Sequence, residues 1–262
     1  MQDSRFDRHC YGENFYLVKD TYLRTLLARL CTPDCVQPEI NHLVETIYRG
    51  LLSYTINQFF ATELTELATR MTASHTDIKL KEEMVIRKQR AVAVNLARAG
   101  TYPSHICYQH LNEVLEPNLV RQDHILAARL TNESHQVTGT FVGGTKIGGD
   151  IQDAIVLIPD PMGATGNTLV SAIEHYNKNV EGDPKHYVAL HLIVTPEYLK
   201  KVYHTHPKLK IVSLRLDRGL SSPDILRTLP GTHWDRERGL NNQQYIVPGG
   251  GGFGEILNNS YV

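Results

Sequence analysis

Short apolar runs rich in branched side chains recur along the chain, and stretches with helical spacing separate several of them. Such runs are typical of strands buried on both faces of a sheet. Strands that alternate with helices indicate a mostly parallel sheet flanked by helices. The pattern predicts an α/β fold, with strands at 91–96, 125–130, 138–142, 154–158, 187–194, 211–216 and 245–247 and helices at 104–115, 169–179 and 197–204.

The first third of the chain has a different pattern. Residues 1–36 are irregular, with turn signals at Gly12 and Pro33, and predict an arm or a short helix. Apolar positions at helical spacing, beginning at Ile40 and Val44, predict a helical stretch over 37–70. The charged residues of 79–90 indicate a solvated surface or a connection.

Composition narrows the class of protein. The chain has 262 residues, of which 41% are hydrophobic and 21% charged, as in a soluble globular protein with a substantial core. A net charge of −1 argues against a general nucleic-acid surface, which needs a basic footprint. No apolar run has the length of a membrane span, and the charged start lacks the apolar region of a secretory signal. We therefore expect a cytoplasmic protein that binds neither nucleic acid nor membrane.

Cysteine and histidine spacing predicts no metal site. The four cysteines, at 10, 31, 35 and 107, have neither disulfide-framework nor zinc spacing and are interpreted as free thiols. His204 and His206 lie beside Pro207 and lysines, which is typical of a surface turn.

The predicted strand at 154–158 leads into a turn that carries two glycines, Gly163 and Gly166, and two threonines, Thr165 and Thr168. A strand, such a turn and a helix N-terminus direct several backbone N–H groups toward one point, which suits a phosphate dianion. The turn lacks the Gly-Lys-Ser/Thr of a nucleoside-triphosphate loop and the G-x-G-x-x-G of a dinucleotide loop. An ordinary strand-to-helix turn is the alternative interpretation.

The stretch that begins Asp160-Pro161-Met162 resembles the phosphoribosyl-pyrophosphate loop of type I phosphoribosyltransferases, and Asp-Pro-Met is the form found in uracil phosphoribosyltransferases. The resemblance implies an α/β fold with a mostly parallel sheet flanked by helices, a C-terminal nucleobase hood and an N-terminal helical region. The chain would form a single domain, with an arm and helices in 1–78, a core in 91–216 and the hood in 217–262.

Other segments extend the resemblance. Arg98-Ala99-Gly100 resembles the pyrophosphate loop of that family, and the segment from His124 to Arg129 resembles a strand whose arginine contacts phosphoribosyl pyrophosphate. Gly239-Leu240-Asn241 and the segment 245–249 resemble the family's uracil-binding segment. The glycine-rich residues 139–149 predict either a hairpin or a flap that closes over the bound sugar.

The resemblance implies transfer of a phosphoribosyl group from phosphoribosyl pyrophosphate to uracil, giving uridine monophosphate and pyrophosphate. Asp160, Arg98 and Arg129 would be the catalytic residues, with Mg²⁺ carried by the substrate. The enzyme would be a homo-oligomer, either a dimer or a tetramer. Phosphoribosyl pyrophosphate would be bound by Arg98, Ala99, Gly100, Arg129, Asp160, Pro161, Met162, Gly163, Ala164, Thr165, Gly166, Asn167 and Thr168, and uracil by Tyr245, Ile246, Gly251, Gly252 and Phe253.

The sequence departs from the family at three places. Gly252 stands where the family has an acid that reaches the ribose, Ala128 replaces a tyrosine, and the charges at 236–238 differ. These departures favour an alternative, a non-catalytic homologue that binds a nucleotide or sugar phosphate as a sensor or scaffold. If the site is built for uracil, we expect Gly252→Asp to raise activity, unless the glycine is required by a positive φ.

Overall fold

The computed structural model describes residues 4–131 and 137–260, with the backbone alone described for 127–131 and 137–142. The strands are β1 (Phe15–Leu17), β2 (Thr62–Leu67), β3 (Leu80–Val85), β4 (Ala91–Ala97), β5 (Val120–Thr131), β6 (Val137–Lys146), β7 (Ile155–Pro159), β8 (Met162–Gly163), β9 (His186–Val194) and β10 (Lys210–Leu216). The helices are α1 (Thr21–Leu30), α2 (Glu39–Phe59), α3 (Thr101–Val114), α4 (Asn167–Asn179), α5 (Pro196–Thr205), α6 (Pro223–Leu226) and α7 (Phe253–Asn258).

The main sheet has the strand order β1-β10-β9-β7-β4-β5-β6, and the short strand β8 also pairs with β9. The pairs along this order are parallel, except that β5 and β6 form an antiparallel hairpin. A separate antiparallel sheet consists of β2 and β3. The mostly parallel α/β architecture predicted from the sequence is confirmed.

Two apolar layers cover the sheet. Alternate residues of β7 belong to different layers, because successive side chains of a strand point to opposite faces. Ile155 and Leu157 pack in the layer that includes α1, α2 and α3, whereas Val156 and Ile158 pack in the layer that includes α4 and α5. Burial on both faces explains why these strands are continuous apolar runs in the sequence.

Two predictions of local structure were wrong, those of the helix over 37–70 and of the strand at 245–247. Helix α2 ends at Phe59, and Thr62–Leu67 is a strand rather than the continuation of the helix to residue 70. The charged residues 79–90, predicted to form a solvated surface or a connection, contain the strand β3, whose side chains are almost all exposed. Residues 245–247 do not form a strand, since Ile246 makes only an isolated bridge with Leu240.

The N-terminal segment contains one short strand and one helix. Helix α1 begins after Asp20, whose carboxylate accepts a hydrogen bond from the Leu23 N–H group at 2.9 Å. This contact satisfies one of the first-turn amides that have no partner within a helix.

In the part of the chain that the structure describes, no helix is both long and apolar enough to span a membrane.

Candidate active site

The chain positions its candidate site at the carboxyl ends of neighbouring parallel strands, where α/β sheets bind ligands. Gly100 follows β4 and packs beside the end of β7. A Cβ atom on Gly100 would lie 2.8 Å from the Leu96 carbonyl oxygen and 2.9 Å from the Pro159 carbonyl oxygen. Only glycine allows this close approach. The structure therefore brings together the loop that begins at Arg98 and the loop that begins at Asp160.

The loop of residues 160–164 directs its carbonyl groups into the protein. The Pro161 carbonyl accepts hydrogen bonds from the N–H groups of β9 residues Leu192 and Ile193 at 3.0 and 3.2 Å. The Gly163 carbonyl accepts from the Thr195 N–H group at 3.1 Å, and the Ala164 carbonyl accepts from Thr195 Oγ1 at 2.7 Å.

The N–H groups of the first turn of α4 have no partner within their own helix. The residue before this helix, Gly166, has no side chain with which to cap them. These N–H groups and the positive end of the helix dipole suit a phosphate group. Residues 160–168, called the phosphate loop below, thus connect the end of β7 to the N-terminus of α4, and their binding of a phosphate stays a prediction.

Both glycines of the phosphate loop are required by geometry. Gly166 has φ of +82°, a conformation that other residues rarely adopt. A Cβ atom on Gly163 would lie 2.8 Å from Val194 Cγ1, so any larger residue would push the loop away from the end of β9.

Arg98 follows β4, after a cis Ala97–Arg98 peptide. Its Nη1 atom donates to the carbonyl oxygen and to Oγ of Ser260 at 3.1 and 3.0 Å, and its Nη2 lies 3.9 Å from Glu255 Oε1. The Arg98 side chain is about 40% exposed. Arg98 therefore reaches the segment that includes α7 while part of its surface remains open to an anion.

Arg129, the third proposed catalytic residue, lies in β5 opposite Thr140 of β6. Its side chain and that of Ala128 lie outside the described residues. The role of Arg129 stays a prediction. The register shows that the glycine-rich residues 139–146 belong to the β5–β6 hairpin. Whether this hairpin closes over the sugar stays a hypothesis.

Charged side chains at the end of β10 and at the start of α5 bind main-chain groups of the hood. Asp217, directly after β10, accepts from the Gly249 N–H group at 2.8 Å, and Arg215 Nη2 donates to the Gly249 carbonyl oxygen at 2.8 Å. Arg215 and Asp217 also form a two-bond ion pair at 2.7 and 2.8 Å. The carboxylate of Glu197, in α5, accepts hydrogen bonds from the N–H groups of Gly239 and Leu240.

The sequence analysis did not identify Glu197, Arg215 or Asp217. The alternation Arg215-Leu216-Asp217 at the end of an apolar strand is the signal that could have drawn attention to two of them, because opposite charges two residues apart lie on the same side of a strand.

A cavity of about 690 Å³ lies between the hood and the segment that follows α1. Tyr245, Gly251 and Gly252 line it, as does Cys31, whose pKa is raised by burial. Ile246, half-buried, packs against the core. Phe253 is 2% exposed and does not line the cavity, because it is packed in the core below Gly250. Of the residues proposed for uracil, Phe253 is therefore placed to support the hood from beneath.

Gly252 has φ of −79°, so a positive φ does not require glycine here. The space beside this position is taken by the end of a neighbouring side chain. A Cβ atom at this position would lie 2.4 Å from Glu255 Oε2. The carboxylate of Glu255 therefore occupies the place that a side chain of residue 252 would take, and the expectation that Gly252→Asp alone raises activity needs revision.

Comparisons with known proteins agree with this geometry. The family model described as "Uracil phosphoribosyltransferase" matches residues 17–233. "Uracil phosphoribosyltransferase 1" of Schizosaccharomyces pombe is 31% identical over 174 residues, which are 66% of this chain and 65% of that protein. The chain thus spans slightly less than two thirds of that relative's length.

Solved structures show the same fold. The AQ2163 protein from Aquifex aeolicus superposes with a TM-score of 0.70 at 19% identity, covering 95% of this chain and 99% of that one. The adenine phosphoribosyl transferase of Trypanosoma brucei, determined with AMP, pyrophosphate and ribose-5-phosphate, gives a TM-score of 0.50 at 12% identity and covers 80% of this chain and 87% of its own.

Proposed function

The chain belongs to the uracil phosphoribosyltransferase family, and on that premise we propose that it transfers a phosphoribosyl group from phosphoribosyl pyrophosphate to uracil. The products are uridine monophosphate and pyrophosphate. The observation that carries the proposal is the phosphate loop, whose carbonyl groups are bound by β9 and Thr195 while the first-turn amides of α4 have no side-chain cap. Such a loop suits the 5′-phosphate of the sugar.

In the proposed reaction, the bond between C1′ and the pyrophosphate oxygen breaks and a bond between C1′ and N1 of uracil forms. Uracil gives up its N1 proton to solvent water, and the electron pair of the broken bond leaves with pyrophosphate. Positive charge develops on the sugar during this exchange, so the protein acts by positioning the reactants and stabilising the departing charge. Residues 162–168 would hold the 5′-phosphate, Asp160 the ribose hydroxyls, and Arg98 and Arg129 the pyrophosphate.

Mg²⁺ remains part of the proposal as an ion carried by the substrate. Within residues 4–131 and 137–260 no cluster of three His, Cys, Asp or Glu side chains is arranged to hold a metal. Mg²⁺ commonly binds through one or two carboxylates together with substrate phosphates, and Asp160 is the carboxylate at this strand end. The ion would neutralise charge on the pyrophosphate.

The β2–β3 hairpin supports the proposed homo-oligomer. Two-stranded hairpins are marginally stable in water unless another surface covers them. This hairpin carries a concentration of exposed large apolar side chains, namely Leu64, Leu67, Met71, Ile78, Leu80 and Met84. By register, Leu67 pairs with Leu80 and lies on the same face as Met84. We propose that a second copy of the chain covers this face.

The cysteines support the proposed cytoplasmic location. All four are free thiols, and two of them, Cys35 and Cys107, are buried. Unpaired thiols are typical of proteins from reducing compartments.

The proposed function is tested by incubating the purified chain with phosphoribosyl pyrophosphate, Mg²⁺ and labelled uracil and measuring uridine monophosphate. We expect product from the native chain and a loss of at least about a hundredfold in Asp160→Asn, which keeps the shape of the side chain but removes its charge. Asp183→Asn, at an exposed position before the start of β9, is the matched control. Tight binding of phosphoribosyl pyrophosphate without product would favour the non-catalytic alternative, and absence of binding would contradict both.

A further inference from the structure

A buried histidine lies behind the phosphate loop, and the proposed reaction assigns it no role. His191, in β9, is fully buried, and its Nδ1 atom lies 2.5 Å from the main-chain oxygen of Asp160. Its Nε2 atom lies 2.5 Å from the hydroxyl of Tyr198 in α5. The ring therefore bridges the loop and the helix that packs behind it.

The partners of His191 determine its protonation. A carbonyl oxygen only accepts hydrogen bonds, so Nδ1 carries a proton and donates it to Asp160. Burial lowers the pKa of His191 to about 4, which keeps the ring neutral at pH 7. The Nε2 atom is then an acceptor, and the Tyr198 hydroxyl donates to it. Burial also raises the pKa of Tyr198 well above 10, so this hydroxyl keeps its proton.

The ring of the same tyrosine lies beside both glycines of the loop. Cβ atoms built on Gly163 and Gly166 would lie 3.3 and 3.4 Å from carbon atoms of the Tyr198 ring. The loop thus receives a hydrogen bond at Asp160, and the ring leaves little room for a side chain at either of its glycines.

The peptide groups around Asp160 are otherwise held by the main chain of β9. The Asp160 N–H group donates to the Leu190 carbonyl oxygen at 3.0 Å, and the Pro161 carbonyl accepts from Leu192 and Ile193. Between them, the Asp160 carbonyl receives its bond from a side chain, that of His191. The orientation of this peptide therefore depends on the identity of residue 191.

We propose that His191 is a positioning residue that, through its Nδ1 hydrogen bond, fixes the Asp160 peptide and with it the direction of the Asp160 carboxylate toward the ribose of phosphoribosyl pyrophosphate. The part that concerns the ribose rests on the proposed function. The part that concerns the loop does not.

Two amide substitutions separate the two nitrogen atoms of the ring. In His191→Asn the amide nitrogen can take the place of Nδ1, whereas in His191→Gln the amide group reaches the place of Nε2. Tyr198→Phe removes the hydroxyl and leaves the bond from His191 to Asp160 in place. All three variants are compared with the native chain at a temperature where each is folded by circular dichroism.

The first measurement is amide hydrogen exchange of the peptide that covers 160–168, without ligand. We expect exchange at least about tenfold faster in His191→Gln and within about threefold of native in His191→Asn and Tyr198→Phe, because only the first loses the bond to Asp160. Equal exchange in His191→Gln and the native chain overturns the proposal, whatever the protein binds.

The second measurement is calorimetric affinity for phosphoribosyl pyrophosphate and for inorganic phosphate. We expect His191→Gln to weaken phosphoribosyl pyrophosphate binding by roughly ten- to a hundredfold and phosphate binding by less than about threefold, with rescue in His191→Asn. Equal loss for both ligands, or for both amide variants, overturns the role at the ribose. Failure of the native chain to bind phosphoribosyl pyrophosphate overturns the proposed function instead, and the exchange measurement then decides the role of His191 in the loop.

Discussion

Thr165 is a half-buried residue of the phosphate loop and directly precedes Gly166, the N-cap residue of α4. We expect Thr165→Val to weaken binding of ribose 5-phosphate by about 1.5–3 kcal/mol, because it keeps the shape of the side chain but removes a hydroxyl that donates to a charged group. Titration calorimetry measures the loss, with Thr205→Val as control. Unchanged affinity would show that the phosphate binds elsewhere.

The carboxylate of Glu255 lies where a side chain at position 252 would lie. We expect Glu255→Ala to lower kcat/KM by roughly ten- to a hundredfold if its carboxylate holds a ribose hydroxyl. Gly252→Asp alone should not raise activity, since the new side chain must displace Glu255. The double variant should recover most of the loss, because one carboxylate is then restored in the same space.

Steady-state kinetics and a melting curve on the three proteins test this pair. A Gly252→Asp variant that is more active than the native chain and equally stable would show that Glu255 is not involved.

The buried imidazole of His191 also makes stability depend on pH. Its pKa is about 4 in the folded chain and near 6.5 when unfolded, so below pH 6.5 the unfolded state binds a proton that the folded state does not. The free energy of unfolding therefore falls as pH falls from 6.5 toward 4.

Comparison with His191→Asn isolates this contribution. Between pH 7.5 and pH 5, we expect the free energy of unfolding of the native chain to fall by about 2 kcal/mol more than that of the variant. Urea unfolding at the two pH values measures the difference. Equal decreases in both proteins would mean that the pKa of His191 is the same in the folded and unfolded states.

At the scale of elements, the β5–β6 hairpin is anchored at one end and extends away from the anchor. Asp123, fully buried in β5, accepts from the Gly148 N–H group at 2.9 Å, from Arg121 Nε at 3.0 Å and from the Tyr176 hydroxyl at 2.8 Å. Tyr176 lies in α4, so the base of the hairpin is joined to the helix that follows the phosphate loop.

The bond between Gly148 and Asp123 separates the fixed base of the hairpin from the part that would close over the sugar. We expect phosphoribosyl pyrophosphate to slow amide hydrogen exchange at residues 141–147, while the Gly148 amide, already bonded to Asp123, stays equally protected with and without ligand. Peptide-resolved exchange checks both statements. Protection confined to other segments would identify the segment as a hairpin without a closing role.

The elements that could be predicted from the sequence are those buried on both faces. Strands β4, β7, β9 and β10 are apolar runs because helices cover the sheet on each side. Strand β2 could not be recognised, since almost all of its side chains are exposed and no buried face imposes a period of two. Leu64 and Leu67 are three residues apart, which imitates helical spacing.

The candidate site also contains residues that the sequence predicts and residues that only the fold identifies. The phosphate loop has a local signature, because its glycines and threonines follow a strand and precede a helix. His191 and Tyr198 contact that loop from about thirty residues further along the chain. Nothing in their own segment distinguishes them from other buried polar residues, so only the fold reveals them.

At the scale of the whole molecule, the exposed apolar face of the β2–β3 hairpin predicts assembly. We expect Leu80→Lys to shift the protein toward monomer, because a charge placed in an apolar contact must be desolvated. Ser74→Lys, at an exposed polar position of the same hairpin, should leave the assembly unchanged. Sedimentation velocity at several protein concentrations compares the variants. A native chain that is monomeric throughout would contradict the proposed homo-oligomer.

The attachment of the hood has a consequence for how this protein can change over evolutionary time. Its contacts with Asp217, Arg215 and Glu197 are made by main-chain groups of residues 239, 240 and 249. Substitutions at exposed cavity-lining positions of the hood, such as Tyr245, can therefore alter which base is preferred while these main-chain contacts are inherited unchanged. Phe253, packed in the core, does not have this freedom. The phosphate loop is bonded to β9 independently of the hood, so such substitutions leave its contacts with β9 unchanged. Selection or a directed library could thus exchange one nucleobase for another without rebuilding the part that recognises the sugar.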